Sequence, residues 1–168
     1  MRGVFVLLKL ILIFLLFIKT FVPSLTLADN IPIIVIAPSK TNQSYSTVGT
    51  SVTSIDRDSI EQTGKFFLGE VLNDKSPGMN YFRSGGYGTI SGIQLRGLPK
   101  RYSTVYIDGV KMSDPSSVSG DYDFNHILTS QISRVEILKG NQSSVYGSGA
   151  IGGTINITTK KGQPGRQK

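Results

Sequence analysis

The stretch Gly147-Ser148-Gly149-Ala150-Ile151-Gly152-Gly153 constrains this chain more than any other, because it crowds glycines between two β-branched segments. Those glycines satisfy the dinucleotide fingerprint G-x-G-x-x-G letter for letter. That fingerprint works only between a strand and a helix, with the helix amides facing a pyrophosphate and an acidic residue about 20 positions further on. Here Gly153 leads into Thr154-Ile155-Asn156-Ile157-Thr158-Thr159, which reads as a strand, and no acidic residue follows Glu136. The glycines are therefore read as backbone geometry: a tight turn that needs positive φ or close approach to a neighbouring surface.

The segments around this turn read as strands and short helices in mixture. Ser51 to Ile55 carries Val52 and Ile55 among small polar residues, and Asp58 followed by Glu61 resembles a capping box opening a short helix that Gly64 stops. A second helix is predicted over 66–72, with Phe67, Leu68, Val71 and Leu72 on its apolar side and Pro77-Gly78 beyond it. Strands are predicted over 79–82, 93–96 and 104–107. Asp108-Gly109 then makes a two-residue hairpin turn into Val110-Lys111-Met112, since both central positions must accept positive φ. A long polar loop spans 113–126. Ile132 to Gly140 follows as a strand with Val135 and Ile137 on one face and Arg134, Glu136 and Leu138 on the other. The expected class is α+β, a small mixed β-sheet with short helices and long loops.

The amino terminus has a different character. Arg2 and Lys9 precede an apolar run from Leu10 to Ile18 and a small-residue site at Thr26-Leu27-Ala28, the pattern of a secretory signal peptide over 1–28. The run is about half the ~20 residues a membrane-spanning helix requires, and Pro23 ends it. Export is thus expected, and the mature chain begins at Asp29. From there, Ile31-Pro32-Ile33-Ile34-Val35-Ile36-Ala37 is an apolar strand-former, tethered through 29–47 by the polar run Pro38-Ser39-Lys40-Thr41-Asn42-Gln43-Ser44. It reads as a buried edge strand or as a segment that another chain picks up.

The formal charge of +7 sits at the two ends: Arg2, Lys9 and Lys19 in the leader, and Lys160, Lys161, Arg166 and Lys168 in the tail. Between Asp29 and Thr159 basic and acidic residues balance, which points away from nucleic-acid binding. The absence of cysteine removes disulfides and thiolate sites, and His126, the single histidine, reads as a loop or surface residue.

Three blocks carry a resemblance to a known family. Arg134-Val135-Glu136-Ile137-Leu138-Lys139-Gly140, a short gap, and Val145-Tyr146-Gly147-Ser148-Gly149-Ala150-Ile151-Gly152-Gly153-Thr154-Ile155-Asn156-Ile157 form the first. Ile93-Gln94-Leu95-Arg96-Gly97 and Val105-Tyr106-Ile107-Asp108-Gly109-Val110 are the others. Together they resemble the plug domain of TonB-dependent outer-membrane receptors, and the resemblance covers most of 48–159. In appearance the match leans to the cobalamin-receptor branch. It implies a plug lodged in a barrel of about 22 strands and displaced when the TonB complex supplies energy.

The resemblance also implies roles for particular residues. Ile31 to Ala37 becomes a candidate TonB box, bound by the carboxy-terminal domain of TonB through strand addition; Pro32 lacks an amide donor, so pairing starts beyond it. Arg96 and Lys139 match the two basic positions that pair with barrel-wall glutamates in relatives. Arginine offers a bidentate fork there, whereas Lys139 offers a compact charge. Ligand contacts are expected from loops 83–91 and 113–125, through Arg83, Ser84, Tyr87, Asp114, Asp121 and Asp123. The last two are also candidate calcium ligands beside Ser117-Val118-Ser119-Gly120, or else solvated loop acids; a hard cation wants six or more oxygens. Arg134 and Glu136 read as a same-face structural pair.

The expected function is a gate for uptake of a scarce ligand such as cobalamin or a ferric siderophore, at the periplasmic side of the cell outer membrane, with no enzymatic activity and no cofactor beyond the candidate calcium. The alternatives are a free-standing periplasmic binding or regulatory module derived from a plug, or a non-functional receptor fragment. Residues 160–168 are a basic tail where the barrel would begin, and wall strands are absent from the expectation.

Overall fold

The computed structural model describes residues 49–162 and the strand residues 34–35 and 43–44. The predicted signal peptide, most of the 29–47 segment, Val48 and the end of the basic tail lie outside the described residues. Strands β1 (Ile34–Val35) and β2 (Gln43–Ser44) pair antiparallel, Ile34 opposite Ser44 and Val35 opposite Gln43.

The main body begins with β3 (Ser51–Ile55) and helix α1 (Arg57–Glu61). The cap of α1 is Asp56, not Asp58: the Asp56 backbone is extended, and its carboxylate accepts from the Ser59 amide at 2.9 Å. Asp58 falls inside the first turn, and Glu61 pairs with Arg57 one turn back, so the reciprocal bond of a capping box does not form. Gly64, at φ 64, closes the segment as expected.

Helix α2 is Leu68–Lys75, starting two residues later than predicted and running three further. Phe67 is extended because it bridges to Leu128, and Thr129 donates its amide to the Phe66 carbonyl at 2.9 Å. Long-range pairing thus holds this segment out of the helix. Leu68, Val71 and Leu72 are fully buried, and Gly69 lies so close to the Tyr81 ring that a Cβ would overlap it.

Strands β4 (Met79–Arg83) and β5 (Ser91–Leu95) form a separate hairpin. Arg96 is outside β5, contrary to the predicted boundary, since it turns into the left-handed region at φ 54 and Gly97 follows at φ 75. β6 (Ser103–Ile107) and β7 (Val110–Met112) make the predicted hairpin, with Asp108 and Gly109 at φ 49 and 84. β8 (Ile132–Lys139) leads to a one-turn helix, α3 (Ser143–Tyr146), too short to show a periodic pattern in the sequence, and to β9 (Gly153–Thr159).

Five strands form one mixed sheet in the order β3-β8-β9-β6-β7, with only β6 and β9 parallel. Val135 and Ile137 face the larger core with Ile55, Val105, Ile155 and Ile157, under α1, α2 and the β4-β5 hairpin. A bulge between Ile132 and Arg134 lets Ile132 join that same core despite its odd spacing. Val52 and Leu138 point to the opposite face, where Tyr146 and Ala150 cover them. Each fully buried leucine or isoleucine contributes about 1.5–3 kcal/mol over exposure, so the α2 face and the sheet centre anchor the fold.

Candidate functional site

Loops 83–91 and 113–125, far apart in sequence, are stitched into one surface. Asp123 Oδ1 accepts from the Ser91 amide (3.1 Å) and hydroxyl (2.6 Å), and from the Asn125 amide (3.0 Å). Asn125 donates its side-chain amide to the Thr89 carbonyl, and Ser84 donates its backbone amide to the Ile90 carbonyl at 3.0 Å. The same Asp123 bond to Asn125 caps a 3-10 turn, Phe124–His126, which buries Phe124 and leaves His126 exposed as expected.

Asp121 anchors the second loop from below. Its side chain is only 2% exposed and meets Lys100 Nζ at 2.6 Å, while Ser117 donates to it at 3.1 Å. Burial pushes its carboxyl upward, but the hydrogen bonds from Lys100, Ser119 and Ser117 outweigh burial and hold it at about 2. Asp114 sits at the rim and accepts from the amide and hydroxyl of Ser116, which lower its pKa.

These bonds bear on the calcium reading. The carboxylates of Asp121 and Asp123 already serve an ammonium and several hydrogen-bond donors, and among the described residues no group of three or more acidic, histidine or cysteine side chains is placed to hold a metal. That donor set does not fit a calcium ion.

On the first loop, Tyr87 is 73% exposed and stacks on Phe67 with ring centroids 5.2 Å apart. The Arg83 guanidinium lies 4.5 Å from the Tyr87 centroid and pairs with Glu70 at 2.5 Å. Ile90 and Val118 are also exposed on the two loops. Phe67, Lys100 and Asn125 complete this arrangement, and the sequence reading did not single them out for it. The apolar spacing places Phe67 in the helical core, and Lys100 and Asn125 belong to no sequence motif.

At the end of the sheet where β8 finishes, Arg96 and Lys139 are brought together. Arg96 Nη1 is 3.5 Å from where a Cβ on Gly140 would stand. Lys139 donates to the Pro77 carbonyl at 2.7 Å, and burial together with the Arg96 charge depresses its pKa. Among the described residues neither cation has a salt bridge. Arg134 and Glu136 do pair, at 3.6 Å, with Glu136 buried.

The glycine turn is occupied by protein. Gly140 and Gly152 bond at 3.0 Å, Gly152 donates to the Tyr102 carbonyl at 2.8 Å, and Gln142 donates to Ala150 at 2.8 Å. A Cβ on Gly152 would come within 3.1 Å of the Tyr102 carbonyl, and one on Gly153, at φ 147, would overlap the Leu138 carbonyl. Its amides close a packed corner, which accounts for the glycines without a nucleotide.

The model of the TonB-dependent receptor plug domain family matches residues 44–154, and the chain belongs to that family. Among solved structures it is similar to the ferric yersiniabactin uptake receptor FyuA from Yersinia pestis, at 29% identity and a TM-score of 0.53, covering 69% of this chain and 18% of the receptor. The siderophore receptor PirA from Pseudomonas aeruginosa is similar at 28% identity and a TM-score of 0.50, covering 67% and 19%. A mutant of the ferric enterobactin receptor PfeA from Pseudomonas aeruginosa matches at 26% identity and 0.55, covering 69% and 18%. The chain therefore spans less than a fifth of the length of these receptors.

Proposed function

We propose that this plug gates an outer-membrane receptor that imports a ferric siderophore. The observation that carries the reading is the joining of loops 83–91 and 113–125 through Asp123 and Asn125 into one surface on which Tyr87 is exposed. A planar aromatic chelate can stack on Tyr87, whose ring is steadied by Phe67 and by the Arg83 guanidinium. The relatives named for ferric yersiniabactin and ferric enterobactin support that ligand class over cobalamin.

Two further parts belong to the same reading. Arg96 and Lys139 are the points at which the acidic residues of a surrounding barrel dock, because a nearby carboxylate relieves both their mutual repulsion and the desolvation of Lys139. Residues 31–37 serve in this reading as the TonB box of an exported chain, and their deletion is expected to abolish binding of the TonB carboxy-terminal domain, with unchanged binding removing the box assignment.

The gate is tested by grafting residues 29–159 in place of the plug of the ferric yersiniabactin receptor. The graft is expected to restore exclusion of a large antibiotic that leaks through the emptied barrel. It is also expected to support TonB-dependent uptake of a ferric siderophore. Uptake of cobalamin instead moves the ligand assignment, and continued leakage favours a free-standing module.

A further inference from the structure

We propose that the plug's share of the ligand surface selects by charge: it admits a ferric chelate that is neutral or cationic and disfavours a polyanionic one. The inference deepens the siderophore reading and rests on it. Its observations are separate, since they concern how the charges of loops 83–91 and 113–125 are already engaged.

The cations Arg83 and Lys100 stand at this surface, and both are committed. Arg83, the one charged residue of loop 83–91, pairs with Glu70 of α2 at 2.5 Å. Its guanidinium is also ringed by Tyr87, Tyr81 and Phe67, with centroids 4.5, 5.6 and 5.7 Å away, and its Nε is buried. Lys100 meets the buried carboxylate of Asp121 at 2.6 Å. An anion that recruits either cation must first separate a pair largely sheltered from water, and so leaves a carboxylate uncompensated.

The carboxylates outnumber these cations. Loop 113–125 carries Asp114, Asp121 and Asp123 and no lysine or arginine. With Asp121 answered by Lys100 and Glu70 by Arg83, Asp114 and Asp123 remain, and their partners are neutral. Asp114 accepts from the amide and hydroxyl of Ser116, and Asp123 from those of Ser91 and from the Asn125 amide. Neutral donors spread a carboxylate's charge without cancelling it. The surface that presents Tyr87 thus keeps the charge of Asp114 and Asp123, which repels an approaching anion over about a Debye length, roughly 10 Å at 0.1 M salt.

A pair of aromatic ferric chelates separates charge from stacking: ferric enterobactin, a tris-catecholate trianion, and the neutral ferric complex of a tripodal tris-hydroxypyridinone. Titrated by calorimetry into the exported chain at ~0.01 M salt, the neutral chelate is expected to bind at least about fivefold more tightly, the gap shrinking to about twofold at ~0.15 M. Glu70→Gln frees the Arg83 charge, and Asp114→Asn removes the rim charge while keeping an acceptor for Ser116. Each is expected to narrow the low-salt gap about twofold. Equal affinity for both chelates, a preference for the trianion, or a gap that neither salt nor these variants move overturns the charge selection and leaves the siderophore reading standing. Binding of neither chelate by a chain that circular dichroism shows to be folded overturns the siderophore reading, and the selection with it.

Discussion

At Asp108 a backbone requirement and a side-chain bond coincide. The residue takes the left-handed conformation of the hairpin turn, donates its amide to the Ile157 carbonyl at 2.9 Å, and accepts from the Thr159 amide and hydroxyl at 2.9 and 2.5 Å. It thereby clasps the last residue of β9 where the chain leaves the sheet. The Thr159 bonds lower its pKa below the ordinary 3.8. The clasp is thus complete above pH ~4 and is lost as pH falls through the lowered value, which the Thr159 amide shift in NMR would report. Asp108→Ala is expected to destabilise by about 2 kcal/mol in urea unfolding and to speed trypsin cleavage after Lys160; Asp108→Asn, which keeps the turn, is expected to have a smaller effect. Arg96 presents the opposite balance. Its positive φ is disfavoured for arginine and it lacks an ion pair among the described residues, so Arg96→Asn is expected to leave stability unchanged or raise it by up to about 1 kcal/mol while weakening barrel docking. A clear loss of stability would mean that Arg96 serves the plug itself.

Among the elements, the glycine corner and loop 113–125 are held by opposite means. The corner depends on the absence of side chains, since a Cβ on Gly153 would overlap the Leu138 carbonyl of the neighbouring strand. Gly153→Ala is expected to cost about 2–4 kcal/mol in thermal or urea unfolding, because backbone rather than a movable side chain must give way. The loop depends on one buried charge. Asp121, held at about 2, contributes stability that is complete above 3.8 and is lost as pH falls towards 2, and over this range the contacts with Lys100 and Ser117 are expected to open. Asp121→Asn is expected to remove about 1–2 kcal/mol at neutral pH and to abolish that acid-limb change.

At the scale of the whole molecule, the stitched loops are proposed as one wall of a ligand site that a surrounding barrel completes. With only that wall present, calorimetry with ferric enterobactin is expected to give a Kd weaker than about 10 μM, or ~7 kcal/mol of binding. Tight binding by the chain alone would show that loops 83–91 and 113–125 suffice as a pocket. The core beneath is continuous from α2 to β9. Leu72→Ala, at a fully buried position, is expected to cost about 2–5 kcal/mol and to loosen both loops together, since their anchors Phe124 and Ile93 share that core.

The Asp108-Gly109 hairpin, the ends of β3, and the division of β8 between Val135-Ile137 and Leu138 were legible in the sequence, because turn chemistry and alternation are local. So was the glycine corner between β8 and β9, which also carried the family resemblance. The cap at Asp56, the late start of α2 and the helix at Ser143–Tyr146 were not, since each turns on a competing bond or on packing that spacing does not reveal. The site divides in the same way. Sequence marked Tyr87, Asp121, Asp123, Arg96 and Lys139 one by one, whereas tertiary structure decided that Asp123 joins two loops, that Asp121 is held by Lys100, and that two like charges are set side by side. Local pattern determines which strands and turns this chain can make, and only the folded sheet, by bringing distant donors to buried acceptors, decides what those residues touch.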